Sequence, residues 1–283
     1  TQNQVDVTVQ LARDVEAGTV DRPDLVLWPE NSTAIDPFRD AQTNAGIRAA
    51  SAAIGVPIMV GAIVDAGPEH VLNQGIVWDP ITGAGDRYTK RHPVPFGEYI
   101  PAREFFTRQF GRLAEIPRDM LSGTRETPLR VAGTEVADAI CFDVAYDDGI
   151  YAQVSRGAQL LTVQTSNATF IHTDQIDQQF AITRLRAIET GRWLAVASTN
   201  GVSGIIAPDG DVVASAAPRT QQVLVERVGL VDAVTPAVRL GAWTGRFCIA
   251  LTAVGLLVTL GSGRLPYRRK ENRQRAEEAA SSD

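Results

Sequence analysis

Apolar residues recur at helical spacing from Val5 to Val15, and again through the Ala-rich residues 40–54, which run out at Gly55-Val-Pro57. Both patterns predict helices. Short β-prone runs follow at residues 25–30, 57–64 and 75–79, with residues 80–85 as the turn of a hairpin, and residues 102–113 carry an amphipathic helical pattern. Val136-Ala-Asp-Ala-Ile-Cys141 alternates as a buried strand does, and the polar stretch to Gly149 reads as a turn into a helix that begins near Ile150. Further strands are predicted at residues 160–163, 193–198 and 202–207, with a turn at Pro208-Asp-Gly-Asp211 that calls for Gly210. Between them, residues 175–190 place Ala181, Leu185 and Ile188 at i, i+4 and i+7, the stripe of a core-facing helix, with Gly191 closing it. Strands alternating with helices, plus hairpins, predict an α/β architecture built on mixed sheet.

The pattern changes at residues 240–261, which are almost wholly apolar. At ~1.5 Å per residue that run is long enough to cross a ~30 Å hydrocarbon layer, with Arg246 reaching back to the interface. Arg264, Arg268, Arg269, Lys270, Arg273 and Arg275 then crowd together, a cluster that marks the cytoplasmic side and puts the preceding residues on the other. Residues 276–283 are expected to be disordered.

With 283 residues and 44% hydrophobic content the chain can bury one large core, and its net charge of -6 argues against nucleic acid as a partner. It holds two cysteines, Cys141 and Cys248, the second inside the apolar run, so a disulfide framework is not expected. The start of the chain lacks the charged region and apolar core of a signal peptide. No Gly-rich loop follows a strand as a phosphate cradle would, and His92 and His172 are too isolated to suggest a metal site, so no cofactor is expected.

Taken singly, Cys141 reads as a small buried hydrophobe, Glu30 as a solvated carboxylate and Lys90 as a surface lysine. Yet each directly follows a β-prone run, so all three can emerge from one edge of sheet structure. A thiol at a strand end that opens into a helix is placed to act as a nucleophile. Trp28 and Phe96 are candidates to wall a water-poor pocket in which a carboxylate can serve that thiol as base.

In this order the three residues resemble the Glu-Lys-Cys triad of the carbon-nitrogen hydrolase (nitrilase) superfamily. The motifs Trp28-Pro-Glu-Asn, Pro95-Phe-Gly-Glu-Tyr-Ile-Pro101, Ile140-Cys-Phe-Asp143, Arg186-Ala-Ile-Glu-Thr-Gly-Arg192 and Thr199-Asn-Gly-Val-Ser-Gly204 are similar to those of its apolipoprotein N-acyltransferase branch, over roughly residues 5 to 260. The resemblance implies a nitrilase-like α-β-β-α sandwich followed by one C-terminal transmembrane helix. The expected partition is a catalytic domain over residues 1–238, its first strand missing, a transmembrane helix over 239–262 and a basic cytoplasmic tail over 263–283.

The resemblance also implies catalytic roles for Glu30 as base, Lys90 as cation for the oxyanion and Cys141 as nucleophile, with support from Glu98, the Phe142 N–H and Asp143. It implies a phospholipid acyl donor, a diacylglyceryl-apolipoprotein acceptor and a bacterial cell membrane location, multi-pass in the full protein with the catalytic part extracytoplasmic. Two departures stand out: Asp143 occupies a position where Glu is usual, and Asn167-Ala-Thr-Phe170 replaces a Trp-Phe-Gly element. The alternatives are a membrane-anchored amidase or nitrilase that uses water as acceptor, and a catalytically inert scaffold.

Overall fold

The computed structural model of the chain describes residues 1–109, 111, 116–217 and 220–261. Its elements run α1 (Gln2–Glu16), β1 (Val26–Leu27), α2 (Ala41–Ile54), β2 (Ile58–Asp65), β3 (His70–Asp79), β4 (Gly83–Thr89), α3 (Arg103–Gln109), β5 (Asp119–Met120), β6 (Leu129–Val131), β7 (Thr134–Ile140), α4 (Asp147–Ser155), β8 (Leu160–Thr165), α5 (Gln175–Thr190), β9 (Leu194–Ser198), β10 (Gly204–Ile206), β11 (Val212–Ser215), α6 (Pro236–Leu240) and α7 (Trp243–Gly261). Local chemistry sets several boundaries. The Asp40 side chain accepts from Thr43 N–H at the start of α2, and α2 and α5 stop at Gly55 and Gly191, at φ 68° and 64°.

The strands form two sheets, one ordered β1-β2-β3-β4 with β5 beside β3, the other β11-β10-β9-β8-β7-β6. In the first, β1 lies parallel to β2 while β2, β3 and β4 are antiparallel. In the second, β7, β8 and β9 are parallel and the flanking pairs antiparallel. Side chains alternate between faces, so Ile58, Val60 and Ala62 of β2 pack with Val5, Leu11, Ile47 and Ile54 of α1 and α2. Met59 points the other way and meets Val77, Tyr88, Val136, Ile140 and Leu160 between the sheets. Ala137, Val163 and Val196 pack with Ile150 and Val154 of α4 and Ala187 of α5. Helices, sheet, sheet and helices follow one another, the α-β-β-α sandwich expected.

Three elements differ from the sequence reading. A 3-10 turn over Cys141–Ala145 separates β7 from α4, so the helix begins at Asp147 rather than near Ile150. α3 spans Arg103–Gln109, and the predicted end at residue 113 lies outside the described residues. In α5 the apolar stripe faces outward: Leu185 and Ile188 are 56% and 49% exposed, whereas Thr183, Arg186, Ala187 and Thr190 are buried. Arg186 decides this orientation. Its guanidinium donates to Val144 O at 2.8 Å and pairs with Asp147 and Glu189, each at 2.6 Å, which anchors the polar side of the helix to the segment after Cys141.

Chain contacts separate a compact unit over Thr1–Arg239 from a second unit that begins at Leu240. Within the second, α7 is long and apolar enough to cross a membrane, and its side chains are exposed. The basic cluster and the tail over residues 263–283 lie outside the described residues.

Candidate active site

The turn after β1 carries Glu30, and it rests directly on β2. A Cβ on Gly61 would stand 2.2 Å from Pro29 O and 2.8 Å from the Glu30 Cα, so only glycine lets the two backbones come this close. Ser32 Oγ and Thr33 N–H both donate to Gly61 O, at 2.8 and 3.1 Å, and fix the turn. Glu30 is 3% exposed. Its Oε1 accepts from Asn73 Nδ2 at 2.7 Å and Lys90 Nζ at 3.2 Å, and its Oε2 from Ser166 N–H at 2.9 Å.

Lys90 follows β4, and its N–H donates to Asn73 O at 2.8 Å, so one residue of β3 steadies both Glu30 and Lys90. The ammonium is buried and donates to Glu98 Oε1 at 2.6 Å as well as to Glu30. Burial pulls its pKa down, but Glu30, Cys141 and Glu98 push it up by more, so Lys90 stays charged. Glu98 reaches it from a tight loop in which Glu98 N–H donates to Val94 O and Phe96 N–H to Tyr99 O, both at 2.8 Å, while Glu98 Oε2 accepts from Val94 N–H at 2.9 Å.

Cys141 sits where β7 breaks into the 3-10 turn, at φ 50°, a left-handed conformation that costs a non-glycine residue about 1–3 kcal/mol. Asp143 holds that bend. It is 3% exposed and accepts from Tyr88 OH at 2.9 Å, His92 N–H at 2.8 Å, Ile140 N–H at 3.1 Å and Arg91 N–H at 3.3 Å. The carboxylate thus ties β4 and the residues after Lys90 to the base of the Cys141 turn, and its shorter side chain suffices. Phe142 lays its ring edge-on to Tyr146, which stacks on His92 at 3.8 Å.

Glu30, Lys90, Glu98 and Cys141 are therefore neighbours, and their charges act on one another. Burial pushes the Cys141 thiol up to about 11, with Glu30 adding to the rise and Lys90 opposing it. The resting thiol is neutral at pH 7, next to a buried carboxylate able to take its proton and a fixed ammonium able to face a developing oxyanion.

Of the expected pocket walls, Trp28 is placed differently. Trp28 belongs to the helix-side core, where its indole N–H donates to Thr8 Oγ1 at 2.9 Å, and Phe96 is 46% exposed and packs edge-on against Phe106. The burial of Glu30 comes instead with Asn73, Lys90 and the Ser166 backbone against it. Asn73 was not singled out in the sequence, although an Asn-Gln pair inside the apolar run of β3 is the sort of interruption that marks a buried polar role.

The carbon-nitrogen hydrolase family model matches residues 5–234. Among curated proteins, the apolipoprotein N-acyltransferase of Mycolicibacterium smegmatis is 37% identical over 272 residues, covering 94% of this chain and 46% of that protein. The apolipoprotein N-acyltransferase of Gloeobacter violaceus is 32% identical over 218 residues, 77% of this chain and 41% of its own length. The chain thus spans somewhat under half of the curated relatives it matches. Among solved structures, an amidase from Nesterenkonia sp. superposes with a TM-score of 0.58 at 20% identity, covering 86% of this chain and 88% of that one. A carbon-nitrogen hydrolase from Helicobacter pylori G27 also gives 0.58, at 14% identity over 77% and 81% of the two chains. At these identities the likeness establishes the fold alone.

Proposed function

This chain belongs to the carbon-nitrogen hydrolase family, and from that premise we propose that it carries the catalytic part of a membrane-bound N-acyltransferase that charges Cys141 with a fatty acyl chain and passes it to an amine. The observation that carries the reading is Lys90, fully buried between Glu30 and Glu98 beside Cys141. A buried ammonium flanked by two carboxylates is costly to maintain for stability alone and well suited to a reaction that develops negative charge.

In the first half-reaction Glu30 takes the thiol proton as Cys141 sulfur attacks the ester carbonyl of a phospholipid. The oxyanion forms opposite Lys90 and the Phe142 N–H. Its collapse expels the lysophospholipid alkoxide, which takes the proton back from Glu30 and leaves a thioester. In the second half the free α-amine of an apolipoprotein's N-terminal, diacylglyceryl-modified cysteine attacks the thioester, Glu30 accepts a proton from the nitrogen, and collapse yields the amide and expels the Cys141 sulfur, which takes that proton back from Glu30 and is restored as the thiol. The relatives named as apolipoprotein N-acyltransferases support these substrates. So does α7, since both substrates are lipids held in a bilayer. We place α7 across the membrane and the catalytic unit on its outer face.

Intact mass spectrometry of the protein incubated with phospholipid tests the reading. One acyl chain should add to the wild type, leave on hydroxylamine treatment, fail to add to Cys141→Ser, and move to a diacylglyceryl peptide amine when one is supplied. An adduct that persists in Cys141→Ser, or none in the wild type, sinks the assignment. Discharge to water with the peptide left unmodified points to a hydrolase.

A further inference from the structure

Polar groups that the acylation scheme leaves unused lie along one edge of the second sheet. β7, β8 and β9 run parallel, with Ile140 paired to Gln164 and Thr165 paired to Ser198. Cys141, Thr165 and Ser198 therefore follow one another across the C-terminal ends of adjacent strands. Thr165 is 3% exposed, and its hydroxyl lies 3.1 Å from Asn167 Oδ1 and 3.3 Å from Gln179 Oε1. Ser198 Oγ donates to the same Asn167 oxygen at 3.3 Å, and Asn167 Nδ2 donates to Gln179 Oε1.

This cluster is built tightly. Asn167 is buried and held at φ 39°, and a Cβ on Gly201 would fall 2.3 Å from Ser198 Oγ and 2.4 Å from Asn167 Oδ1. Both amide oxygens thus lie within reach of the Thr165 hydroxyl, and Cys141 directly follows the end of the neighbouring strand. A hydroxyl has a single proton, so it serves one of these three acceptors at a time. A neutral thiol is the weakest acceptor of the three, whereas a thiolate is charged and becomes the strongest.

We propose that Thr165 is a further catalytic residue, whose O–H turns from the Asn167 and Gln179 amide oxygens to the Cys141 sulfur as the thiolate forms. The inference rests on Cys141 being the nucleophile. Proton bookkeeping is simple: the thiol proton goes to the Glu30 carboxylate, Thr165 keeps its own, and nothing but hydrogen bonds changes at Thr165. The new bond offsets part of the penalty that burial and Glu30 impose on the thiolate, and the Thr165 hydroxyl does lower the thiol's pKa against them. A threonine needed only as a β-branched strand residue would show none of this dependence on its oxygen.

Alkylation of Cys141 by iodoacetamide provides the test, in the full chain with Cys248→Ser so that one thiol reports, between about pH 7 and 10. Thr165→Val keeps the shape and removes the hydroxyl; it should slow alkylation about 10-fold or more at a given pH and move the pH profile upward. Thr165→Ser restores the hydroxyl and should stay within about 2-fold of the wild type. A wild-type profile in Thr165→Val overturns the proposal, as does a Thr165→Ser protein as slow as Thr165→Val. If Thr165→Val shows no cooperative melting, Thr165→Ala is read against the same criteria. Alkylation needs no acyl donor, so its outcome is separate from the mass-spectrometric test of the acyl-enzyme, and either can fail without the other.

Discussion

Lys90 holds one carboxylate on each side, with Nζ 3.2 Å from Glu30 and 2.6 Å from Glu98, and the two partners are proposed to do different work. Removing the base and removing the cation should therefore fail differently. Glu30→Gln leaves a thiol still raised by burial, though less than in the wild type because the Glu30 charge that adds to the rise is gone, so acylation should recover in part with rising pH. Lys90→Met removes the charge that faces the oxyanion, a loss of about 10²-fold or more that pH does not restore. Single-turnover acylation followed across pH separates the two, and superimposable profiles would remove the distinction. The same measurement on Glu98→Gln shows whether Glu98 acts through Lys90, in which case its defect follows that of Lys90→Met in shape.

Elements decide whether those residues meet. The Glu30 turn can lie on β2 because Gly61 has no side chain there; with backbone atoms 2.2 and 2.8 Å from its Cβ, Gly61→Ala has no flexible neighbour to displace. We expect that variant to melt cooperatively but at a lower temperature than the wild type and to lose most acylation, seen as little acyl adduct in the mass spectrum at temperatures where it is folded. Asp138 on β7 gives a second test. It is 1% exposed, its Oδ2 has no hydrogen-bond partner among the described residues, and burial pushes its pKa up to about 8. In the unfolded chain the group titrates near 4. Between those values the folded state holds a proton that the unfolded state has released, so stability from this group is full below about pH 4 and lost as pH rises toward 8. The expected slope is about 1.4 kcal/mol per pH unit. Urea unfolding from pH 5 to 8 should show that decline in the wild type relative to Asp138→Asn. Parallel curves for the two proteins would mean that Asp138 ionises normally.

At the scale of the whole molecule the question is which side of a membrane each unit occupies. The basic residues Arg264, Arg268, Arg269, Lys270, Arg273 and Arg275 follow the apolar helix α7, and a positive cluster after a span holds that end in the cytoplasm. On the topology we propose, Cys141 faces outward, where an exported lipoprotein would have its signal peptide removed and its amine exposed. In a Cys141→Ser, Cys248→Ser background with Ser282→Cys, a membrane-impermeant maleimide on cells stripped of their outer layers should label the protein only after lysis. Labelling before lysis reverses the orientation and removes the lipoprotein reading with it.

The helices α1 and α2, most of the strand runs, and the turns at Gly55, Gly191 and Gly210 were readable because each depends on a few neighbouring residues and on backbone preferences. The α-β-β-α sandwich and the positions of Glu30, Lys90 and Cys141 came through motif resemblance, which carries the memory of long-range contacts in short strings. Tertiary structure alone decided the rest. Periodicity put Leu185 and Ile188 of α5 inward, but Arg186 found two oxygen acceptors, Val144 O and Asp147, in the segment after Cys141, with Glu189 of its own helix as a third, and satisfying a buried guanidinium outweighed burying two aliphatic side chains. Trp28 was expected at the site and faces α1, because β1 alternation assigns its side chain to the helix layer. Asn73, Thr165 and the Ser166 N–H lie far from Glu30 and Cys141 in the sequence and share no local pattern with them. Only the pairing of β3 with its neighbours and of β8 with β7 brings the Asn73 and Ser166 donors to Glu30 and sets Thr165 beside the strand end that carries Cys141, since strand register fixes such distances and sequence spacing does not.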